Sequence, residues 1–194
     1  MKVYFVRHGE SEANLNKCFA GQTDSPLSAA GRAQAEAIRP ILAGISFDKV
    51  YSSDLSRAHD TQKIALPGYE AETMALLREI DVGSLAGKSI PEFAAAHGGV
   101  SPTGKTGDYT LYGGENRKLL GARVRRFMDM LEKQDYEIVA VFAHRGILMT
   151  VLRIILGDVD FPNGAVLCDN CAVNVVEFDG KGWHILALNY GKEF

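Results

Sequence analysis

The sequence predicts an α/β protein with a mostly parallel sheet that carries an antiparallel edge strand. Short apolar runs typical of buried strands alternate with longer segments of helical periodicity. Two of these runs, Lys2–Val6 and Ile138–Ala143, lead directly into a His-containing polar segment. The last two runs flank the turn-forming stretch Asp179–Gly182, which is typical of a hairpin. A closing hairpin of this kind adds an antiparallel edge to a parallel sheet.

Helix signals follow the first strand at regular intervals. Ser28 is a suitable N-cap for a helix that reaches about Leu42, because apolar residues recur there at helical spacing. Ser53 and Asp54 can cap a second helix that continues to about Ala65. The remaining predicted elements are short strands at 48–51 and 73–76, helices at 90–97, 116–133 and 147–156, and closing strands at 174–178 and 183–188.

Residues 81–115 interrupt this regular pattern with eight glycines, at positions 83, 87, 98, 99, 104, 107, 113 and 114. The only helix predicted within this segment is the short one at 90–97. Long loop-rich segments inside a compact domain are often functional, so we expect a lid or a substrate-selecting flap here. The length of 194 residues predicts one domain over 1–194 with this segment as an insertion.

Composition narrows the function classes. The formal net charge is −3, so overall charge gives no reason to expect a nucleic-acid partner. No apolar run approaches the roughly 20 residues of a membrane-spanning helix, and the N-terminal apolar run is too short for a signal peptide. We therefore expect a cytoplasmic protein that does not contact membranes. A homodimer is possible, and the sequence leaves the oligomeric state open.

The two strand ends carry the residues with the clearest chemical meaning. Arg7 and His8 end the first strand, and His144 and Arg145 follow the later one. Ligands of open α/β sheets bind at the carboxyl ends of the strands, so these side chains can meet in one pocket. Arg57, near the start of the second predicted helix, adds a cation where a helix already favours anions. This set describes a phosphate site, with His8 as the candidate nucleophile and His144 as a possible charged donor.

Phosphoryl transfer at such a site also needs an acid for the leaving group. Glu79 precedes the glycine-rich segment and is one candidate, while Glu10 and Glu115 are rivals on spacing alone. The residues themselves do not rank the three. A metal is not expected, because His-x-x-x-His spacing is absent and arginines adjoin both histidines. We interpret the Cys168–Cys171 pair as part of a loop that enters the next strand, not as a metal or redox site.

Several blocks of the sequence resemble, in order, those of the histidine phosphatase superfamily. The first block runs from Arg7 to Asn14 and reads RHGESEAN. The second, from Gly21 to Ser28, reads GQTDSPLS, and Gly31 follows it. The other matching blocks are Tyr51–Ala58 with Thr61, Leu77–Glu79 with Gly83 and Gly87, Gly114–Asn116 with Arg123, and Ala143–His144.

The resemblance implies a three-layer α/β/α fold and a nucleophile, His8, that is phosphorylated on Nε2. It also implies a phosphate pocket and selects Glu79 from the three candidate acids. No metal or other cofactor is implied. The residues expected in the phosphate pocket are Arg7, Arg57 and His144, assisted by Asn14 and by the backbone of Gly21, Gln22 and Thr23.

Three positions depart from the usual pattern of this family. Arg145 stands where a glycine commonly follows the second histidine, and it could contact substrate or merely cap a helix. Leu85-Ala86-Gly87 replaces a common Trp-Glu-Gly, so a second carboxylate there is not expected. Asn116 replaces the more common serine, which we expect to be a mild change.

These observations predict a metal-independent phosphomonoesterase that acts on a small phosphorylated metabolite through a phosphohistidine. A 2,3-bisphosphoglycerate-dependent phosphoglycerate mutase is the first alternative. It is disfavoured because the residues after Glu79, Ile80-Asp81-Val82, are not basic. An inactive module that only binds a phosphorylated ligand is the second alternative, and the complete set of candidate residues argues against it.

Overall fold

Six strands form one mixed sheet in the computed structural model, which describes residues 1–99, 107–159 and 165–190. The strand order is β3-β2-β4-β1-β5-β6. The first four strands in that order are mutually parallel, whereas β5 is antiparallel to β1 and β6 is antiparallel to β5. The strands are β1 (Lys2–Arg7), β2 (Lys49–Ser52), β3 (Glu72–Thr73), β4 (Ile138–Ala143), β5 (Val173–Phe178) and β6 (Trp183–Tyr190).

The sheet lies between two layers of helices. The described α-helices are α1 (Glu12–Leu15), α2 (Ala29–Ala37), α3 (Arg39–Ala43), α4 (Ser56–Ala65), α5 (Ile90–Ala96), α6 (Arg117–Leu131) and α7 (Arg145–Ile155). Short 3-10 turns occur at Ala75–Leu77, Gly83–Leu85 and Thr110–Tyr112. The architecture is therefore the predicted three-layer α/β/α sandwich.

Alternation along the strands produces a separate core on each face of the sheet. Val3 and Phe5 of β1 pack with α6 and α7, in a core that includes Phe127. Val6 of β1 belongs to the opposite core, which includes Leu42 of α3. Each central strand is thus apolar on both faces, as expected for parallel strands covered on both sides.

Most predicted elements are present, and the differences have local causes. The helix predicted from Ser28 to Leu42 is divided into α2 and α3 at Ile38. Pro40 lies in the first turn of α3, where its missing N–H is tolerated, but its ring cannot lie within a continuous helix. The strand predicted at 73–76 is wrong in extent, because pairing stops at Thr73 and a 3-10 turn follows.

Two helix starts also differ from the sequence prediction. The helix predicted to begin near Ser53 begins instead at Ser56, whose N–H donates to the Asp24 carboxylate at 2.8 Å. The short helix α1 was not predicted, although Ser11 and Asn14 form a reciprocal capping box at its start. In the glycine-rich segment the predicted short helix is confirmed as α5, and residues 100–106 lie outside the described part of the chain.

The loop after β1 approaches the first turn of α2 closely enough to require glycine on the helix. A Cβ atom on Gly31 would lie 2.0 Å from the carbonyl oxygen of Glu10. The same interface is tight from the other side, where a Cβ on Gly9 would lie 2.4 Å from the Gly31 oxygen. This contact fixes the segment that carries His8 against α2.

We predict that Gly31→Ala lowers the free energy of unfolding by about 2 kcal/mol, because backbone atoms must separate to admit the methyl group. Gly121→Ala in α6 is the matched control, since nothing lies within 4 Å of its added Cβ. That change should raise stability by roughly 0.5 kcal/mol through helix propensity. Urea unfolding measures both values, and equal effects would contradict the close contact.

Candidate active site

Parallel pairing of β1 with β4 brings the two histidines to the same edge of the sheet. Arg7 lies opposite Ala143 in the register, and the backbone N–H of His8 donates to the Ala143 carbonyl at 3.0 Å. The rings of His8 and His144 consequently have centroids 5.0 Å apart. The two strand ends identified in the sequence therefore form one site.

A hydrogen bond fixes which nitrogen of His8 is available for chemistry. Its Nδ1 atom lies 2.6 Å from the carbonyl oxygen of Gly9. A carbonyl oxygen can only accept, so Nδ1 carries the hydrogen and Nε2 carries a lone pair in the neutral ring. Burial lowers the pKa of His8 well below 6.5, and the charges of Arg57 and Arg7 lower it further. His8 is thus a neutral imidazole whose Nε2 carries the lone pair that a nucleophile requires.

The backbone around His8 is clamped from two sides. The side-chain amide of Asn170 donates to the His8 carbonyl at 3.0 Å, and the N–H of Cys171 donates to the Arg7 carbonyl at 3.1 Å. Thr61 of α4 accepts from the Gly9 N–H at 3.0 Å and donates to the Arg57 carbonyl at 2.6 Å. The nucleophile therefore has little freedom to move.

Arg57 is buried in the second position of α4, with only 1% of its surface exposed. Its Nη1 donates to the carbonyl of Thr23 at 3.0 Å, and its Nη2 donates to that of Gly21 at 2.8 Å. The loop carbonyls of Gly21 and Thr23 thus hold the cation in place. Direct contact of this loop's backbone with an anion, expected from the sequence, remains a prediction.

His144 is the N-cap residue of α7, and its ring is buried. Its Nε2 atom lies 2.9 Å from the hydroxyl oxygen of Ser53, which also accepts from the N–H of Leu55. Burial lowers the pKa of His144 well below 6.5, and the charges of His8 and nearby arginines act in the same direction. The ring is therefore neutral. We assign the Ser53 hydroxyl as the donor to Nε2, because it has no other acceptor among the described residues, and this assignment places the ring hydrogen on Nδ1.

Three side-chain nitrogens of this site are buried without a hydrogen-bond partner among the described residues. They are Nε of Arg7, Nε of Arg57 and Nδ1 of His144. Buried donors are almost always satisfied in folded proteins, and leaving one unpaired costs about 1–3 kcal/mol. One Nε–H from each guanidinium group and the imidazole nitrogen fit an anion such as phosphate.

The structure distinguishes the three candidate acids by their partners. Glu115 forms a two-point ion pair with Arg123, at 2.8 and 3.1 Å, and Glu10 accepts from the Ser28 hydroxyl at 2.7 Å. Within the described part of the chain, Glu79 accepts only from backbone N–H groups, those of Ile80 at 2.9 Å and Gly146 at 3.2 Å. Its charge also acts on both Arg7 and Arg57. Glu79 is therefore the carboxyl group that faces the site.

Two residues that position Glu79 were not singled out as site residues from the sequence. A Cβ on Gly146 would lie 2.0 Å from Oε1 of Glu79, so only glycine leaves room for the carboxyl group there. Arg123 donates to the carbonyls of Leu76, Arg78 and Glu79 at 2.6–3.2 Å and so holds the segment that carries the acid. A glycine directly after His144-Arg145 is the one sequence signal that could have indicated the role of Gly146.

The remaining predicted residues occupy varied positions. The Oδ1 atom of Asn14 accepts from the backbone and hydroxyl of Ser11, so this atom caps α1. The amide of Gln22 donates to the Glu79 carbonyl at 3.3 Å. Arg145 is exposed at the first position of α7. Their predicted contacts with phosphate remain predictions.

The segment Cys168–Cys171 leads into β5, as the loop interpretation predicted. The carbonyl of Cys168 accepts from Nη1 of Arg7, and burial raises the pKa of the Cys168 thiol to about 11. In the part of the chain that the structure describes, no group of three or more His, Cys, Asp or Glu residues could hold a metal. Across the same residues, no helix has the length and apolar character to cross a membrane.

The buried histidines predict a loss of stability in mild acid. The unfolded rings take up protons near pH 6.5, whereas the folded rings do so only at lower pH, so stability falls as the pH drops below 6.5. Each ring contributes a slope of up to about 1.4 kcal/mol per pH unit. Urea unfolding between pH 7.5 and about 5, above the ordinary carboxyl range, measures this slope. His8→Asn should lower the slope of the unfolding free energy against pH by roughly the contribution of one ring. An unchanged slope would contradict burial of a neutral His8.

Comparison with known proteins identifies the family of the chain. The family model of the histidine phosphatase superfamily (branch 1) matches residues 3–191. The Escherichia coli adenosylcobalamin/alpha-ribazole phosphatase is 29% identical over 170 residues, which cover 81% of this chain and 80% of that protein.

Two solved structures also resemble the chain. A mycobacterial glucosyl-3-phosphoglycerate phosphatase has a TM-score of 0.84 at 25% identity, with coverage of 97% of this chain and 98% of that one. A phosphoglycerate mutase from Thermus thermophilus has a TM-score of 0.67 at 31% identity, covering 97% and 99%. The match of the family model over nearly the whole length shows that this chain belongs to the histidine phosphatase superfamily.

Proposed function

We propose that the protein is a metal-independent phosphomonoesterase that acts on a small phosphorylated metabolite through a phosphohistidine at His8. Its family supports an enzyme that acts on phosphate esters. The observation that carries the proposal is the set of three buried, unpartnered donors beside a neutral His8 whose Nε2 bears a lone pair. This arrangement supplies a nucleophile and an anion pocket together.

In the first step Nε2 of His8 attacks phosphorus and the ester P–O bond breaks. The ring becomes a phosphorylated imidazolium, whose Nδ1–H keeps its bond to the Gly9 carbonyl. Arg7, Arg57 and His144 stabilise the charge on the phosphoryl oxygens. The carboxyl group of Glu79 gives its proton to the departing oxygen, so that an alcohol leaves.

In the second step the Glu79 carboxylate takes a proton from water. The resulting hydroxide attacks phosphorus, the N–P bond breaks, and His8 returns to its neutral form. Inorganic phosphate is released and Glu79 is again protonated. Each residue therefore ends the cycle in its initial state, and no metal or other cofactor is required.

Hydrolysis is favoured over mutase chemistry by the segment after Glu79. Ile80 packs against the apolar core, and the Asp81 carboxylate accepts from the N–H of Gly83 at 2.8 Å. Neither side chain offers a cation to hold the carboxylate of a sugar acid beside the phosphohistidine. The resemblance to the Thermus mutase keeps transfer between positions of phosphoglycerate as the second candidate.

A phosphomonoester panel assayed with chelator present tests the proposal. We expect phosphate release that His8→Ala abolishes and that orthovanadate, a phosphate mimic, inhibits. Release that depends on added metal, or that survives His8→Ala, would refute the mechanism. Isomerisation of 3-phosphoglycerate only in the presence of 2,3-bisphosphoglycerate, without net phosphate release, would instead establish the mutase.

Loss of the acid should slow turnover more than binding. We predict that Glu79→Gln lowers kcat about 10²- to 10⁴-fold, the usual contribution of a positioned acid. Inhibition by inorganic phosphate should stay within about threefold, because the phosphate-binding cations are retained. Glu10→Gln is the matched control, and steady-state kinetics on the best panel substrate should show little change in its kcat. An equal loss in both variants would show that Glu79 is not the acid.

Gly146→Ala should act through Glu79 alone, because the added methyl group displaces that carboxyl. We predict a fall in kcat, and no further fall when Gly146→Ala is combined with Glu79→Gln. Steady-state kinetics of the two single variants and the double variant measure this coupling. Independent, multiplicative effects would mean that Gly146 serves some other purpose.

A further inference from the structure

Arg145 places an exposed guanidinium group at the rim of the proposed phosphate pocket. It is the first residue of α7 and lies between His144, a pocket donor, and Gly146, whose N–H binds Glu79. The pKa of Arg7 is lowered first by burial, and the charge of Arg145 contributes to that shift. Arg145 is therefore within electrostatic reach of Arg7, one cation of the proposed pocket.

No carboxylate of the described residues neutralises this cation. The structure shows no hydrogen bond or ion pair of the Arg145 side chain within 1–99, 107–159 and 165–190, whereas the nearby Arg78 and Arg123 are each paired with a carboxylate. Two carboxylates act on Arg7 by their charge. Of these, Glu79 is held by backbone N–H groups, and Asp169 accepts from the Asn189 amide at 3.0 Å.

Arg145 also faces the repulsion of Arg7. The Glu79 carboxylate at the N-terminus of the same helix is bound by the N–H groups of Ile80 and Gly146, and not by the Arg145 side chain. An exposed guanidinium beside the proposed pocket, without a carboxylate partner among the described residues, is placed to meet an anion that arrives with the substrate.

We propose that Arg145 binds a second anionic group of the substrate, a carboxylate or second phosphate a few bonds from the ester that is cleaved. This inference rests on the proposed function and narrows its substrate class to phosphomonoesters with two anionic groups. A guanidinium binds either group through paired N–H donors, so Arg145 is a specificity-determining residue.

Matched substrate pairs test this assignment. The first pair is 3-phosphoglycerate and glycerol 3-phosphate, in which a carboxylate replaces a hydroxymethyl group. The second pair is glycerol 1,3-bisphosphate and glycerol 3-phosphate, which tests a second phosphate. We expect wild-type kcat/KM to favour the doubly anionic member of at least one pair by about tenfold at low salt.

Variants assign that preference to one side chain. Arg145→Gln should reduce the ratio of kcat/KM within the preferred pair to near one, Arg145→Lys should retain part of it, and Arg145→Glu should invert it. Arg126→Gln, an exposed arginine of α6, is the control and should keep the wild-type ratio. A wild-type ratio near one for both pairs, or a ratio that survives Arg145→Gln, would overturn the inference.

Binding to the inactive His8→Ala variant separates this inference from the proposed chemistry. Calorimetry with the same pairs should show tighter binding of the doubly anionic ligand, lost in the His8→Ala/Arg145→Gln double variant. If wild type releases no phosphate but this preference is present, the hydrolase proposal fails and the role of Arg145 stands. If phosphate is released and the preference is absent, the hydrolase proposal stands and the proposed role of Arg145 fails.

Discussion

The parallel pairing of β1 with β4 is the constraint on which the site depends. The register sets Arg7 against Ala143, and the hydrogen bond from the His8 N–H to the Ala143 carbonyl extends the ladder by one residue. A shift of one residue would turn every side chain of β1 to the opposite face, which both apolar cores forbid. The packing of the sheet thus determines the distance between two rings that lie 136 positions apart (144 − 8) in the chain.

Around those rings the protein maintains a concentration of buried positive charge. Burying guanidinium groups is costly unless their donors are satisfied. Arg57 donates to the backbone carbonyls of Gly21 and Thr23, and Arg7 donates to that of Cys168. The Nε atoms of both arginines have no partner among the described residues. The same charges keep His8 neutral, since an imidazolium beside them would be repelled. In the proposed mechanism, one electrostatic arrangement therefore both prepares the anion pocket and keeps His8 reactive.

The sequence predicts the sheet and the strand-end residues because these depend on local apolar runs and on a general property of parallel sheets. It does not choose among Glu10, Glu79 and Glu115, since that choice depends on long-range partners such as Ser28 and Arg123. The role of Ser53 depends on a long-range partner too. From the sequence this serine is interpreted as a helix cap, whereas in the structure its hydroxyl binds His144. The start of α4 and the hydrogen bond of His144 both depend on partners that are distant in the sequence, namely Asp24 and Ser53.

The measurement that tests this account most directly is a ¹⁵N–¹H correlation spectrum of the labelled histidines at neutral pH, recorded with and without orthovanadate. The account predicts that His8 is neutral and protonated on Nδ1, with an unprotonated Nε2 in the empty site. It further predicts that vanadate shifts the Nδ1–H signal of His144. A doubly protonated His8, or one that carries its hydrogen on Nε2, would contradict the account.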